Sequence, residues 1–118
     1  MLDDICEIII LYDFYGVLLP PKQREILRLY YEDNLSLGEI SEEYGLSRQG
    51  VHETVKRGER KLREYEAKLG LINRFESEEK TIKNINQEID RLALMRPGDK
   101  ELASKLTEIK DLMLKLCQ

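Results

Sequence analysis

The chain has 118 residues, 36% of them charged and 42% hydrophobic, and a formal net charge of −4. That length holds one domain, or one domain with an appendage, and the negative balance excludes a protein that binds nucleic acid by charge alone. No apolar run approaches the roughly 20 residues of a membrane span, the acidic opening Met1-Leu2-Asp3-Asp4 speaks against a signal peptide, and two cysteines at opposite ends without metal-ligand spacing, Cys6 and Cys117, fit free thiols in a reducing cytosol better than a zinc site or a disulfide framework.

Residues 3–15 read as a first helix. Asp3 and Asp4 favour its N-terminus through the macrodipole. Ile5, Ile8, Ile9, Tyr12 and Tyr15 recur at helical spacing, and Ile10, Leu11 and Phe14 broaden the stripe, as expected of a helix covered on two sides or packed against a partner. Gly16 is a natural stop. Pro20-Pro21 cannot continue a helix from before but can begin one after. The second helix is expected from Pro21 to about Glu32, with Ile26, Leu29 and Tyr30 inward, until Asp33-Asn34 breaks it.

Ser36 to Leu62 reads as a helix-turn-helix. Ser36 caps a helix and Glu39, three residues on, completes a capping-box pattern. Leu37, Ile40 and Tyr44 share one face. Gly45 ends the helix, because glycine enters the left-handed conformation at little cost. Leu46 plugs the turn and Ser47 caps the next helix, whose inner face carries Val51, Val55 and Leu62. Two short helices joined through a glycine turn are the unit that lays its second helix in the major groove of DNA. The outer face then bears Ser47, Arg48, Gln49 and His52 in the first turns, where base edges are touched, and Lys56, Arg57, Arg60 and Lys61 further along, suited to phosphates. Arg63 follows on the same basic run.

Beyond Leu62 the apolar repeat continues through Tyr65, Leu69 and Ile72, with Gly70 as a kink or an end, and Glu66 to Phe75 bridges to the C-terminal part. Ile82, Ile85, Ile89 and Leu92 step by three, four and three. Arg96-Pro97-Gly98-Asp99 is a turn, with Asp99 placed to cap the last helix. Leu102, Leu106, Ile109, Met113 and Leu116 make a last stripe. The expected organisation is a helix-turn-helix domain with an N-terminal helix over 1–74, and a C-terminal helical hairpin over 75–118 that packs on the core or on a second chain as a homodimer. Charge divides along the same lines: three basic and ten acidic residues over 1–46, eight and four over 47–75, eight and nine over 76–118. The one positive stretch is the second helix of the motif and its extension.

Pro21 to Leu62 resembles region 4 of the sigma-70 family, through Lys-Gln-Arg-Glu-Ile-Leu-Arg-Leu-Tyr-Tyr (22–31), Leu-Ser-Leu-Gly-Glu-Ile (35–40) and Gly-Leu-Ser-Arg-Gln-Gly-Val (45–51). With Asp13-Phe14-Tyr15-Gly16-Val17-Leu18-Leu19 and the Tyr30-Tyr31 pair, most of the chain resembles the YlxM family. That family comprises helix-turn-helix proteins similar to sigma region 4 and encoded beside signal recognition particle genes. The resemblance implies an all-α, sigma-70 region 4-like helix-turn-helix bundle in a bacterial cytoplasm, and a role in the signal recognition particle pathway. Ser41 and Gly50 depart from the alanines usual at these positions. Ser41 is expected to bond back to the preceding turn, and Gly50 to cost about 0.5–1 kcal/mol of helix stability.

Catalytic chemistry is not visible in the sequence. His52 has no partner cluster for metal binding or nucleophilic catalysis, and no glycine loop with a following lysine cradles phosphate. The expectation is therefore a non-enzyme without cofactor or metal: a DNA-binding regulatory protein, or alternatively a protein-interaction accessory factor of the signal recognition particle with no specific DNA binding. A whole sigma factor is not expected, because the regions that recognise and open a promoter are lacking.

Overall fold

Helices in the middle of the chain begin and end on local signals. The computed structural model describes residues 4–116 as α1 (Asp4–Tyr15), α2 (Pro21–Tyr31), α3 (Leu37–Tyr44), α4 (Arg48–Leu69), α5 (Leu71–Met95) and α6 (Lys100–Leu116), with a 3-10 turn at Gly16–Leu18. Asp3 as a helix start and Cys117 as a thiol lie outside the described residues. Among those residues there is no strand, and no helix is long and apolar enough to cross a membrane. Pro21 opens α2 at its first position. The Ser36 hydroxyl accepts from the Glu39 N–H, while the Glu39 carboxylate accepts from the Ser36 N–H, both at 3.1 Å. Those bonds hold the Glu39 carboxyl below the usual glutamate range. Gly45 and Gly70 end α3 and α4 at φ 66° and 61°, in the left-handed region.

The chain divides into two compact units, Met1–Ile72 and Asn73–Gln118. In the first, Ile8, Leu11, Tyr15, Leu19, Ile26, Leu27, Leu29, Ile40, Val51, Val55 and Leu62 form one buried core. Helix α4 is its axis, touched by α1, α2 and α3 in turn. The apolar stripe of α1 is narrower than its composition suggests: Ile5 is 61% exposed. Leu27, not among the inward residues expected from the sequence, is fully buried. It lies against Gly58, which continues the inner row Val51, Val55, Gly58, Leu62. A Cβ at Gly58 would overlap Leu27 Cδ1 and stand 3.2 Å from Leu27 Cγ and 3.4 Å from Gln23 Cγ. Glycine there lets α2 and α4 approach closely.

The passage from α4 to α5 takes one residue, not the ten-residue bridge read from sequence. Gly70 reverses the backbone, and two inward side chains serve the new helix start. The Tyr15 hydroxyl accepts from the Leu71 N–H at 3.1 Å, and Glu66 Oε1 accepts from the Ile72 N–H at 3.0 Å. Tyr15 in turn donates to Glu66 at 2.5 Å. These orphan N–H groups would otherwise lack partners in a half-buried setting. In the second unit, α5 and α6 form a helical hairpin. Asp99 Oδ1 caps α6 through the Leu102 N–H at 3.0 Å, Lys110 pairs with Asp90 at 2.6 Å, and Ile89, Leu106 and Met113 are buried together.

Candidate nucleic-acid interface

The turn between α3 and α4 sets the second helix of the motif. Ser41 Oγ donates forward to the Leu46 carbonyl, across the turn and not back along its own helix. Leu46 N–H reaches the Ser41 carbonyl at 3.2 Å, so the turn is closed from both ends. Ser47 caps α4 by accepting from the Gly50 N–H at 2.9 Å. Gly50 has a local reason: a Cβ there would sit 3.2 Å from Ser47 Oγ, crowding the cap.

From this start α4 presents Arg48, Gln49, His52, Lys56, Arg57 and Arg60 to solvent, with Ser47 exposed at its cap. His52, Lys56, Arg57 and Arg60 line one shallow concavity together with Glu53. The other candidate residues lie around it. Gln49 donates to Glu53 Oε1 at 3.4 Å, so it borders the concavity through that carboxylate. Arg48 turns toward the start of α3, where its Nε would stand 3.7 Å from a Cβ at Gly38. Lys61 is half-buried on the flank of the helix. Arg63 leaves the basic row altogether and pairs with Glu7 of α1 at 2.6 Å.

Glu53, which the helical period also puts on the outer face, shares the concavity with the cations. One feature of charge escaped the sequence. Of the acidic residues on α4, Glu59 accepts from the Tyr31 hydroxyl and is 14% exposed, and Glu66 is turned to Tyr15. Burial, then the bonded carboxylates, push both phenols above their ordinary range. With two carboxylates drawn inward, the solvent face of α4 is more basic than the sequence count of that helix suggests. Lys56 remains paired with Glu59 at 3.4 Å, and at 57% exposure this pair is weak and easily exchanged. Among the described residues, no group of three or more His, Cys, Asp or Glu side chains is placed to hold a metal ion.

A family model described as "Putative helix-turn-helix protein, YlxM / p13 like" matches residues 2–102. A UPF0122 protein of Geobacillus kaustophilus is 43% identical over 113 residues, covering 95% of this chain and 99% of its own length. One from Anoxybacillus flavithermus is 43% identical over 112 residues, with the same coverage of each chain. One from a Thermoanaerobacter species is 44% identical over 107 residues, 91% of each chain.

Proposed function

This chain belongs to the YlxM / p13-like family of helix-turn-helix proteins, and we propose that it is a cytoplasmic, non-catalytic regulatory protein that binds DNA through the outer face of α4. The observation that carries this is the charge segregation on that helix: its cations stand in solvent while Glu59 and Glu66 bond inward to tyrosines. Arg48, Gln49 and His52 occupy the turns that meet base edges in a helix-turn-helix, and arginine and glutamine have the fork geometry for guanine and adenine. Lys56, Arg57, Arg60 and Lys61 hold phosphates, and Ser47 fixes the start of the helix.

The test is fluorescence anisotropy against labelled fragments of the source genome at low and near-physiological salt. Affinity is expected to fall steeply with salt, as phosphate neutralisation releases counterions, while selected fragments stay bound. Arg48→Ala should relax preference at one position and Arg57→Ala weaken all sites alike. Equal binding of every fragment by both variants and wild type refutes the assignment.

A second function is favoured by the acidic segment that precedes α4. Glu42 and Glu43 are exposed on α3, within a segment of three basic and ten acidic residues. Such a surface suits a basic protein partner, and components of the signal recognition particle are the partners we propose to test. Reversing both glutamates to lysine should weaken that complex, whereas Arg48→Ala should leave it intact.

A further inference from the structure

The C-terminal hairpin hides one half of its apolar seam and leaves the other half in water. Its hydrophobic residues fall into two rows, each repeating every seven residues. The inner row is Ile82 and Ile89 on α5, Leu106 and Met113 on α6; Ile89, Leu106 and Met113 are buried and Ile82 is half-buried. The outer row is Ile85 and Leu92 on α5, Ile109 and Leu116 on α6, and these are 41%, 47%, 44% and 75% exposed. Ile85 and Leu116 line one groove with Ile82, which puts the outer rows of both helices on the same side of the hairpin. Leu112, 61% exposed, and Met95, 75% exposed, extend that side by helical spacing.

A seven-residue repeat with one row satisfied and its neighbour bare is half of a four-helix bundle. Two helices with three buried residues between them are a small core for 46 residues, and small units of this kind gain stability by association. Charge indicates what covers the face. Residues 1–46 carry three basic and ten acidic side chains and 47–75 carry eight and four, so like copies of either repel; residues 76–118 carry eight and nine, close to neutral. A strongly charged partner finds no complement there, whereas a second copy meets no net repulsion. The exposed area suffices: six large side chains at 41–75% exposure, counted on two copies, amount to on the order of 1,000 Å², where specific interfaces begin.

We propose that this face is a homodimer interface, the outer rows of two hairpins closing into an isologous four-helix bundle around a two-fold axis. The inference stands apart from nucleic-acid binding, and its test contains no DNA. The full chain is sized by light scattering at tens of micromolar. The expected mass is about 28 kDa, twice the 13.9 kDa of one chain. The double variant Ile85→Glu/Ile109→Glu should elute at 13.9 kDa. Both positions are already solvent-accessible in the single hairpin, so the change does not bury a charge in the monomer. All six tyrosines lie between positions 12 and 65, so an unchanged tyrosine signal certifies that the first unit is intact. Leu114→Glu is the matched control, 62% exposed but on the groove with Asn86 and Lys110, and should remain dimeric. A monomeric wild type overturns the proposal, as does a dimeric double variant or a control that dissociates as readily as the double variant.

Discussion

Gly58→Ala tests whether the close approach of α2 to α4 sets the first unit. On an open helix surface the change stabilises by about 1 kcal/mol, because glycine is the poorer helix former. Here the new methyl meets Leu27, which is fully buried, and stands 3.4 Å from Gln23 Cγ. Overpacking of this kind costs about 1–3 kcal/mol, so the net expectation is a loss of about 1 kcal/mol. The sign should invert when Leu27 is trimmed. Leu27→Ala alone loses about 2–5 kcal/mol to the cavity, and in that background Gly58→Ala should regain about 1 kcal/mol. The coupling across the cycle is then about 2 kcal/mol, well above the few tenths expected of independent sites. Urea unfolding followed by tyrosine fluorescence reads the first unit selectively, since the second has no tyrosine or tryptophan. A stabilising Gly58→Ala in the wild-type background, or an additive cycle, refutes the packing argument.

Tyr15→Phe removes a donor to Glu66 and an acceptor for the Leu71 N–H, and should destabilise the first unit by about 1–3 kcal/mol in the same urea titration. Because the folded pKa of Tyr15 is raised, first by burial and then by its bond to Glu66, its contribution is complete below the ordinary tyrosine pKa. It is lost as pH climbs through the raised value, so wild type should lose stability in alkali more steeply than Tyr15→Phe. At the acid end, the lowered pKa of Glu39 gives stability above the usual glutamate range that fades as pH falls through the folded value; Glu39→Gln should flatten that part of the profile. Gln23 is buried with no hydrogen-bond partner for its Oε1 among the described residues, so Gln23→Met should raise the urea midpoint, by about 1 kcal/mol in stability. Ile40→Asp, placing a charge at a fully buried site, should abolish the cooperative transition.

Helix starts and stops were legible in the sequence because they are local. Ser36 with Glu39, Gly45, Ser47, Gly70 and Asp99 each act within four residues of chain, so their chemistry identifies them before any tertiary contact is known. The helix-turn-helix and the exposed row Arg48, Gln49, His52, Lys56, Arg57 and Arg60 follow from the same local period. Contacts between elements were not legible. Period alone left Leu27 out of the expected core and gave Gly58 no role, since a glycine carries no hydrophobic signal and only the spacing of two helices shows what fills its place. Likewise Arg63 read as one more cation on a basic run until α1 brought Glu7 within 2.6 Å. Where the charges of α4 point was hidden for the same reason. Sequence sums Glu59 and Glu66 with the surface, whereas Tyr31 and Tyr15, reaching across 28 and 51 residues, draw them inward. The sequence by itself determined the caps and stops at Ser36, Gly45, Ser47, Gly70 and Asp99, because those choices rest on neighbouring residues. Only the tertiary structure decided which side chains pair across helices, because hydrogen bonds and steric contacts depend on distances that the order of residues does not contain.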